Sequence, residues 1–330
     1  MNINADDGLV TVIIPFFQKE KGLLDKCVRS ILEQKNYKNF HIIVIDDGSP
    51  VSAEEELKNI SKDNTNLTIL IQKNSGPGAA RNKGLENLPE NTEYVAFLDS
   101  DDQWENTFLS VAVSAMNEGC DMFFSNTYRA GFNETRFEWH SEDGLDLISS
   151  QHNSINSEKN IFKFKGDMFD YALVRSNIIS TSSLVYRFSI CPDMQFNVIL
   201  FNGQDRLFKL SLCQQINNVS FSSSVLVKEG RGVNIFDSAS WGTAKSLVLT
   251  SNYIKLSKTI LKELKLNERQ KTIVYQQLND ARYSFIASLL HLIKNRIKVD
   301  VKIIINILKA DPGFLLQIIP IIFKILKDKK

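Results

Sequence analysis

The sequence predicts an α/β protein built on a mostly parallel sheet, and three observations predict it. Short apolar runs recur at residues 9–14, 40–45, 67–72 and 94–98, each of strand length and rich in Val, Ile, Leu or Phe. Stretches of helical spacing or helix-favouring composition separate them. The runs end on proline, acidic residues or glycine, the loop chemistry found at the C-terminal ends of strands in open α/β sheets.

Residues 9–14 form the first expected strand, and Pro15, which has no N–H to donate, is expected to close it into a loop over 16–22. Residues 23–34 place Leu24, Cys27, Val28, Ile31 and Leu32 on one helical face. The second strand, 40–45, ends in Asp46, Asp47, Gly48 and Ser49. Strand, helix and strand within about 40 residues make a βαβ unit with a right-handed crossover. A short helix over 53–61 and a third strand over 67–72 follow. Residues 74–82, with Gly76, Pro77, Gly78, Ala79, Ala80, Arg81 and Asn82, form a small-residue turn that runs into a helix through 88. Tyr94 to Leu98 read as a strand buried on both faces, and Asp99, Ser100, Asp101 and Asp102 follow at once.

Three carboxylates at the mouth of a core raise one another's pKa unless a cation or a ring of donors compensates them. A hard divalent ion, Mn²⁺ or Mg²⁺, suits such a turn, with substrate phosphates and waters filling the other positions. The competing reading is an N-cap, Asp101 or Asp102 opening a helix over 107–116. Gly76, Gly78 and the two alanines let backbone N–H groups approach a diphosphate closely, and Arg81 adds a fixed cation. The turn matches neither a Walker A loop nor G-x-G-x-x-G. Asp46 or Asp47 suits a ribose hydroxyl or a base N–H, or else serves as a turn former.

The segments Val12 to Pro15 with a following aromatic, Val44 to Ser49, Gly76 to Gly84, and Phe97 to Asp102 together resemble the family 2 glycosyltransferases of the GT-A fold, in that order and at similar spacing. The resemblance is strongest over 9–110 and thinner to about 236. It implies a Rossmann-like sheet flanked by helices and transfer of a hexosyl residue from a nucleoside-diphosphate sugar, a UDP-sugar being the expected donor. Pro15, Phe17, Asp46, Asp47, Gly78, Arg81, Asp99 and Ser100 would bind the donor, and Asp101 would hold the metal that bridges its diphosphate. Residues 180–187 resemble the acceptor-side strand and carry Ser182. Residues 201–207 resemble the segment whose acid is the catalytic base, which here is Asp205. The family usually has Glu before that Asp; this chain has Gln204, placed on the acceptor side. Residues 228–236 resemble a late loop over the diphosphate that lacks its frequent His, and Arg231 is the cation available there. The reaction implied is an inverting single displacement in bacterial surface-polysaccharide assembly, of O-antigen or capsule type. The acceptor would be a glycan or a sugar on a polyprenyl diphosphate, used at the cytoplasmic face of the cell membrane. A non-catalytic nucleotide-sugar-binding protein is the alternative, with Gln204 as its sign; a nucleotidyltransferase would need a basic glycine-rich loop near the N-terminus that is missing.

Between these segments, a helix to 117, a strand over 121–129 and a polar excursion over 141–160 are expected, the last as a mobile loop. The chain has 330 residues, 43% of them apolar and 23% charged, enough for a GT-A domain over 1–240 and a helical extension over 241–330. Its net charge of +1 conceals an asymmetry, because residues 241–330 carry 17 Lys and Arg against 6 Asp and Glu. A basic region so rich in Ile and Leu points to an anionic membrane surface, with a packed helical bundle as the other reading. Nucleic acid fits poorly, since the basic residues flank aliphatic rather than stacking surfaces. Helices are expected over 244–264, 268–295, 301–309 and 314–327. The longest uncharged stretch there, 312–323, is twelve residues, well short of a bilayer span of roughly 20 residues. Cys27, Cys120, Cys191 and Cys213 show no metal or disulfide spacing and are expected as buried thiols. Residues 1–8 are polar and lack a secretory pattern.

Overall fold

The computed structural model describes residues 8–61, 64–139, 144–232 and 240–328. The chain divides into two compact units, one of Met1–Val198 with Phe208–Val233, the other of Ile199–Leu207 with Asn234–Lys330.

The first unit opens with β1 (Leu9–Phe16), α1 (Leu23–Leu32), β2 (Phe40–Asp46), the short helices α2 (Ala53–Glu56) and α3 (Lys58–Ser61), β3 (Leu67–Ile71), α4 (Pro77–Leu85) and β4 (Thr92–Phe97). It continues through β5 (Gln103–Trp104), α5 (Phe108–Asn117), β6 (Met122–Arg129), β7 (Asn153–Asn156), β8 (Ile161–Lys163), α6 (Met168–Val174) and β9 (Val185–Arg187). Helix α7 (Gln204–Gln215) begins in the second unit and leads back into β10 (Val219–Glu229) of the first. The strands form one sheet in the order β3-β2-β1-β4-β9-β6-β10-β8-β7, with β5 paired to β10. The four strands at one side run parallel, and so do β6 and β10; these are the long ladders, while β5, β7, β8 and β9 add short antiparallel pairs.

Several expected boundaries shift for identifiable reasons. Strand β1 passes through Pro15 instead of stopping before it. The Ile13 carbonyl accepts from Leu98 N–H and the Phe16 carbonyl from Asp47 N–H, so alternation turns Pro15 toward β4. The β1–β4 ladder has already ended at Ile13 and Phe97, and the missing N–H therefore costs no bond. Helix α4 ends at Leu85, and Pro89, which drives the residue before it out of helical conformation, keeps residue 88 from joining it. Its start is set by Gly76 at φ 89°, followed by Pro77 at the first helical position. The helix expected over 53–61 breaks at Leu57 into α2 and α3. The polar excursion is partly sheet: β7 pairs with β8, and β8 with β10, so the described part of it is not a free loop. Residues 141–143 of that excursion, residues 1–7, and residues 233–236 of the late loop lie outside the described residues.

The core of the first unit is aliphatic on the face of β1 and β2 that covers α1, where Leu24, Cys27, Val28 and Ile31 are buried as the spacing predicts. Phe97, Phe196 and Phe208 fill it farther along, with Phe196 stacked on Phe208 at 4.0 Å between centroids. All four cysteines are buried free thiols.

The second unit contains α8 (Ala244–Glu263), α9 (Glu268–Lys294), α10 (Val301–Ala310) and α11 (Phe314–Lys327), each within one residue of its expected bounds. Leu247, Ile254, Leu278, Phe285, Ile307, Phe314 and Ile325 form its core. Helices α10 and α11 meet at a bend of 116°. Asp311, buried in that bend, receives Arg282 at 2.6 Å and Lys258 at 3.5 Å.

Candidate active site

The carboxylates at the end of β4 are built into a turn whose polar atoms are nearly all engaged. Asp102 N–H donates to the Asp99 carbonyl at 2.9 Å, closing the four-residue turn. Buried Ser182 stands behind it: its hydroxyl donates to Asp102 Oδ2 at 2.5 Å and accepts from Asp99 N–H at 3.0 Å. The Ser182 carbonyl accepts from the Trp104 indole at 2.7 Å. The other Asp102 oxygen accepts from Gly230 N–H at 2.8 Å, and Asp101 Oδ2 accepts from Gly232 N–H at 2.7 Å. Two adjacent carboxylates thus grip two glycine amides of the loop that leaves β10. A Cβ on Gly230 would collide with the Asp101 carbonyl oxygen, and one on Gly232 would lie 2.6 Å from Gln18 Nε2. Glycine at both positions is what lets the loop come so close.

The capping alternative does not survive this geometry. Helix α5 starts after Thr107, and Asp101 and Asp102 bind the late loop instead of helix amides.

The loops after β1, β2 and β3 join the same network. Gln18, just past β1, donates from its side chain to Ser100 Oγ at 3.1 Å and exchanges backbone and hydroxyl bonds with Ser49. Asp46 accepts from Ser49 N–H at 2.8 Å and from Ala53 N–H at 2.9 Å, so it shapes the loop into α2. Asp47 accepts from Gln72 Nε2, Ser75 N–H and Gly76 N–H, all at 2.8 Å, and fixes the glycine-rich turn to the end of β2. Arg81, buried on α4, meets Asp99 Oδ1 at 2.5 Å and lies 5.3 Å from the Phe196 ring centre. Gly78 is buried in the same helix, whose Gly84 packs so closely on β1 that a Cβ would fall 2.5 Å from Ile13 Cγ2. Pro15 is buried and Phe17 half-buried at the end of β1.

Burial first and the Asp99 charge second raise the pKa of Asp101. The same causes, with Asp101 added, raise Asp102 well above its ordinary value. Nearby Glu229 goes the other way: burial pushes it up, but the Arg136 guanidinium, with hydrogen bonds from Arg136, Thr127 and Ser180, holds it below its ordinary value. Asp101 and Asp102 lie beside Asp99, whose charge Arg81 meets, and Mg²⁺ or Mn²⁺ commonly takes only one or two carboxylates. Among the described residues, no group of three or more His, Cys, Asp or Glu is placed to hold a metal ion by itself.

The other expected residues have settings of their own. Asp205 and Gln204 begin α7 in the second unit. Asp205 sits in the first turn of α7, and its charge acts on Arg206 and Tyr253. Gln204 is buried with Oε1 lacking a hydrogen-bond partner among the described residues. Arg231 is exposed and donates to the Ala130 carbonyl at 2.7 Å. Ser182, expected on the acceptor side, is occupied with the acid turn. Gln18, Gly230, Gly232 and the anchoring role of Asp102 escape a reading of the sequence, because their partners are backbone amides or residues about 80 or more positions away.

Acidic and glycine-rich loops at the C-terminal ends of parallel strands define an α/β site of the nucleotide-binding kind. The chain belongs to glycosyl transferase family 2, whose profile matches residues 11–190, and it is a glycosyltransferase of the GT-A fold. The succinoglycan biosynthesis protein ExoW of Rhizobium meliloti (strain 1021) is 30% identical over 231 residues, 69% of this chain and 71% of that protein. The GalNAc(5)-diNAcBac-PP-undecaprenol beta-1,3-glucosyltransferase of Campylobacter jejuni is 27% identical over 266 residues, 78% of this chain and 76% of that one. S. aureus TarS 1-349 in complex with UDP-GlcNAc superposes with a TM-score of 0.58 at 18% identity, covering 85% of this chain and 79% of that one. Some other matched relatives are longer proteins, of which the chain spans about a quarter or less.

Proposed function

We propose that this glycosyltransferase moves a sugar from a UDP-sugar to a hydroxyl of a lipid-linked glycan in bacterial surface-polysaccharide synthesis, with inversion and with a divalent metal. The observation that carries the reading is the acid turn, Asp99 to Asp102, bound on one side to the loop after β1 and on the other to the loop after β10. The names of the relatives support the pathway and the polyprenyl acceptor, and the UDP-GlcNAc complex of the TarS structure supports a UDP donor. A lipid-linked acceptor would place the reaction at the inner face of the cell membrane.

Within this reading, Pro15, Phe17, Asp46 and Asp47 border the nucleoside, Gly78 and Arg81 face the diphosphate side, and Asp99 and Ser100 flank the ribose. Arg231 adds charge from the late loop, and Gln204 and Ser182 bear on the acceptor side, Ser182 through the turn it supports. A bound Mn²⁺ or Mg²⁺, held by Asp101, would neutralise the diphosphate as it departs. Asp205 accepts the proton of the acceptor hydroxyl, that oxygen attacks the anomeric carbon from the face opposite the leaving group, and the bond to the diphosphate oxygen breaks. The assignment of Asp205 rests on its match to the family's basic position.

The test is release of nucleoside diphosphate from a panel of UDP-sugars with Mn²⁺ and extracted lipid-linked acceptors, with EDTA as control. Turnover that needs both acceptor and metal supports the reading. Donor binding with no turnover across a complete panel overturns it.

A further inference from the structure

The sequence shows a basic, aliphatic end to the chain, and the structure separates its aliphatic residues into two sets. On α11, Phe314 and Ile325 are buried, and Ile318, Ile321 and Ile322 pack partly against the same core. Leu315, Leu316, Ile319, Phe323 and Leu326, at helical spacing on the other side of α11, are 55% to 79% exposed. A helix that is apolar on every side, with one side already packed, presents a second apolar face to whatever lies outside the fold. Val301 and Ile305 on α10, and Ile293 and Ile297 around the end of α9, are exposed as well.

We infer that this outer face of α11 lies in the headgroup boundary of an anionic membrane, with α10 beside it, as a surface-bound rather than a spanning element. Charge decides between a bilayer and a second copy of this chain. Lys324 and Lys327 share α11 with the apolar face, Lys302 and Lys309 lie on α10, and Lys294, Arg296 and Lys298 join α9 to α10. With 17 basic against 6 acidic residues over 241–330, two such surfaces repel each other, whereas an anionic leaflet attracts each by up to about 1 kcal/mol per basic residue. Length excludes a crossing by one helix: among the described residues none is long and apolar enough, and the α10–α11 pair that would reach the length together is bent by 116°. Asp311 holds that bend through Arg282 on α9 and Lys258 on α8, so the outer face is presented on a braced scaffold. Pro320 lies inside α11 on the exposed side, where the carbonyl it leaves unbonded can meet water or headgroups.

The inference stands apart from the assignment of Asp205, because its test needs no turnover. Full-length protein is sedimented with phosphatidylcholine vesicles and with vesicles containing phosphatidylglycerol, at low and high salt. The double variant Leu316→Gln, Ile319→Gln is compared with Tyr275→Gln, an exposed aromatic on α9. Binding is expected to anionic vesicles, to weaken several-fold at high salt without vanishing, to fall at least about tenfold in the double variant, and to be unchanged in Tyr275→Gln. Thermal melting is expected to match wild type in both variants, which separates lost binding from lost folding. The inference is overturned if the intact protein ignores anionic vesicles at low salt, if the double variant binds equally, or if wild type forms a dimer in solution that the double variant abolishes.

Discussion

The two units use their charges in opposite ways. In the first, charged side chains near the donor loops are buried or half-buried and paired with named partners: Arg81 with Asp99, Arg136 with Glu229, and Asp101 and Asp102 with glycine amides. In the second, the described lysines of α10 and α11 are at the surface beside exposed aliphatic residues, while Asp311 is buried with Arg282 and Lys258 as its partners. The difference teaches where position matters. A site that must hold a diphosphate and a cation needs carboxylates fixed by the backbone, whereas attraction to a charged surface needs only an excess of charge.

Five substitutions test that contrast. The largest effect is expected from Arg136→Met, which strands Glu229 in a buried site and costs about 3 kcal/mol in chemical denaturation, while Lys302→Gln in the second unit stays within about 0.5 kcal/mol. Because Glu229 is held below its ordinary pKa, its contribution is fully present above the unfolded value and lost as pH falls through the folded one. The acid limb of the wild-type stability profile should therefore contain a component that Arg136→Met lacks. Asp205→Asn comes next, with kcat lower by at least about two decades and donor Kd unchanged in calorimetry. Near-full turnover would remove Asp205 from the mechanism. Gly230→Ala drives a methyl group against the Asp101 carbonyl, and kcat/KM should fall by about tenfold. The smallest effect is a gain: Asp102→Asn removes one of three repelling carboxylates and should raise the metal-free melting temperature by a few degrees while lowering transfer.

The strands β1 to β4 and the helices of the second unit were legible because burial imposes periodicity, and a local pattern is enough to reveal it. The acids at 46, 47, 99, 101 and 102 were legible as a chemical class for the same local reason. What those acids bind was not. Asp102 finds Gly230 across 128 positions and Ser182 across 80, and Gly230 is recognised through a backbone amide that every non-proline residue has. The pairing of β7 with β8 was equally hidden, since three- and four-residue strands carry no period of their own. Pro15 misled for a subtler reason: whether a missing N–H matters depends on which neighbour the residue faces, and only the register of β1 against β4 tells.

We propose that the turn after β4 completes the donor site, with Asp101 as the metal ligand. Titrating a UDP-sugar into wild type and into Asp101→Ala, each with Mn²⁺ and with EDTA, tests it most directly. Wild-type affinity is expected to fall at least about tenfold when the metal is removed, and Asp101→Ala to show the weak value under both conditions. An Asp101→Ala protein that still binds the donor more tightly with Mn²⁺ than with EDTA would contradict it.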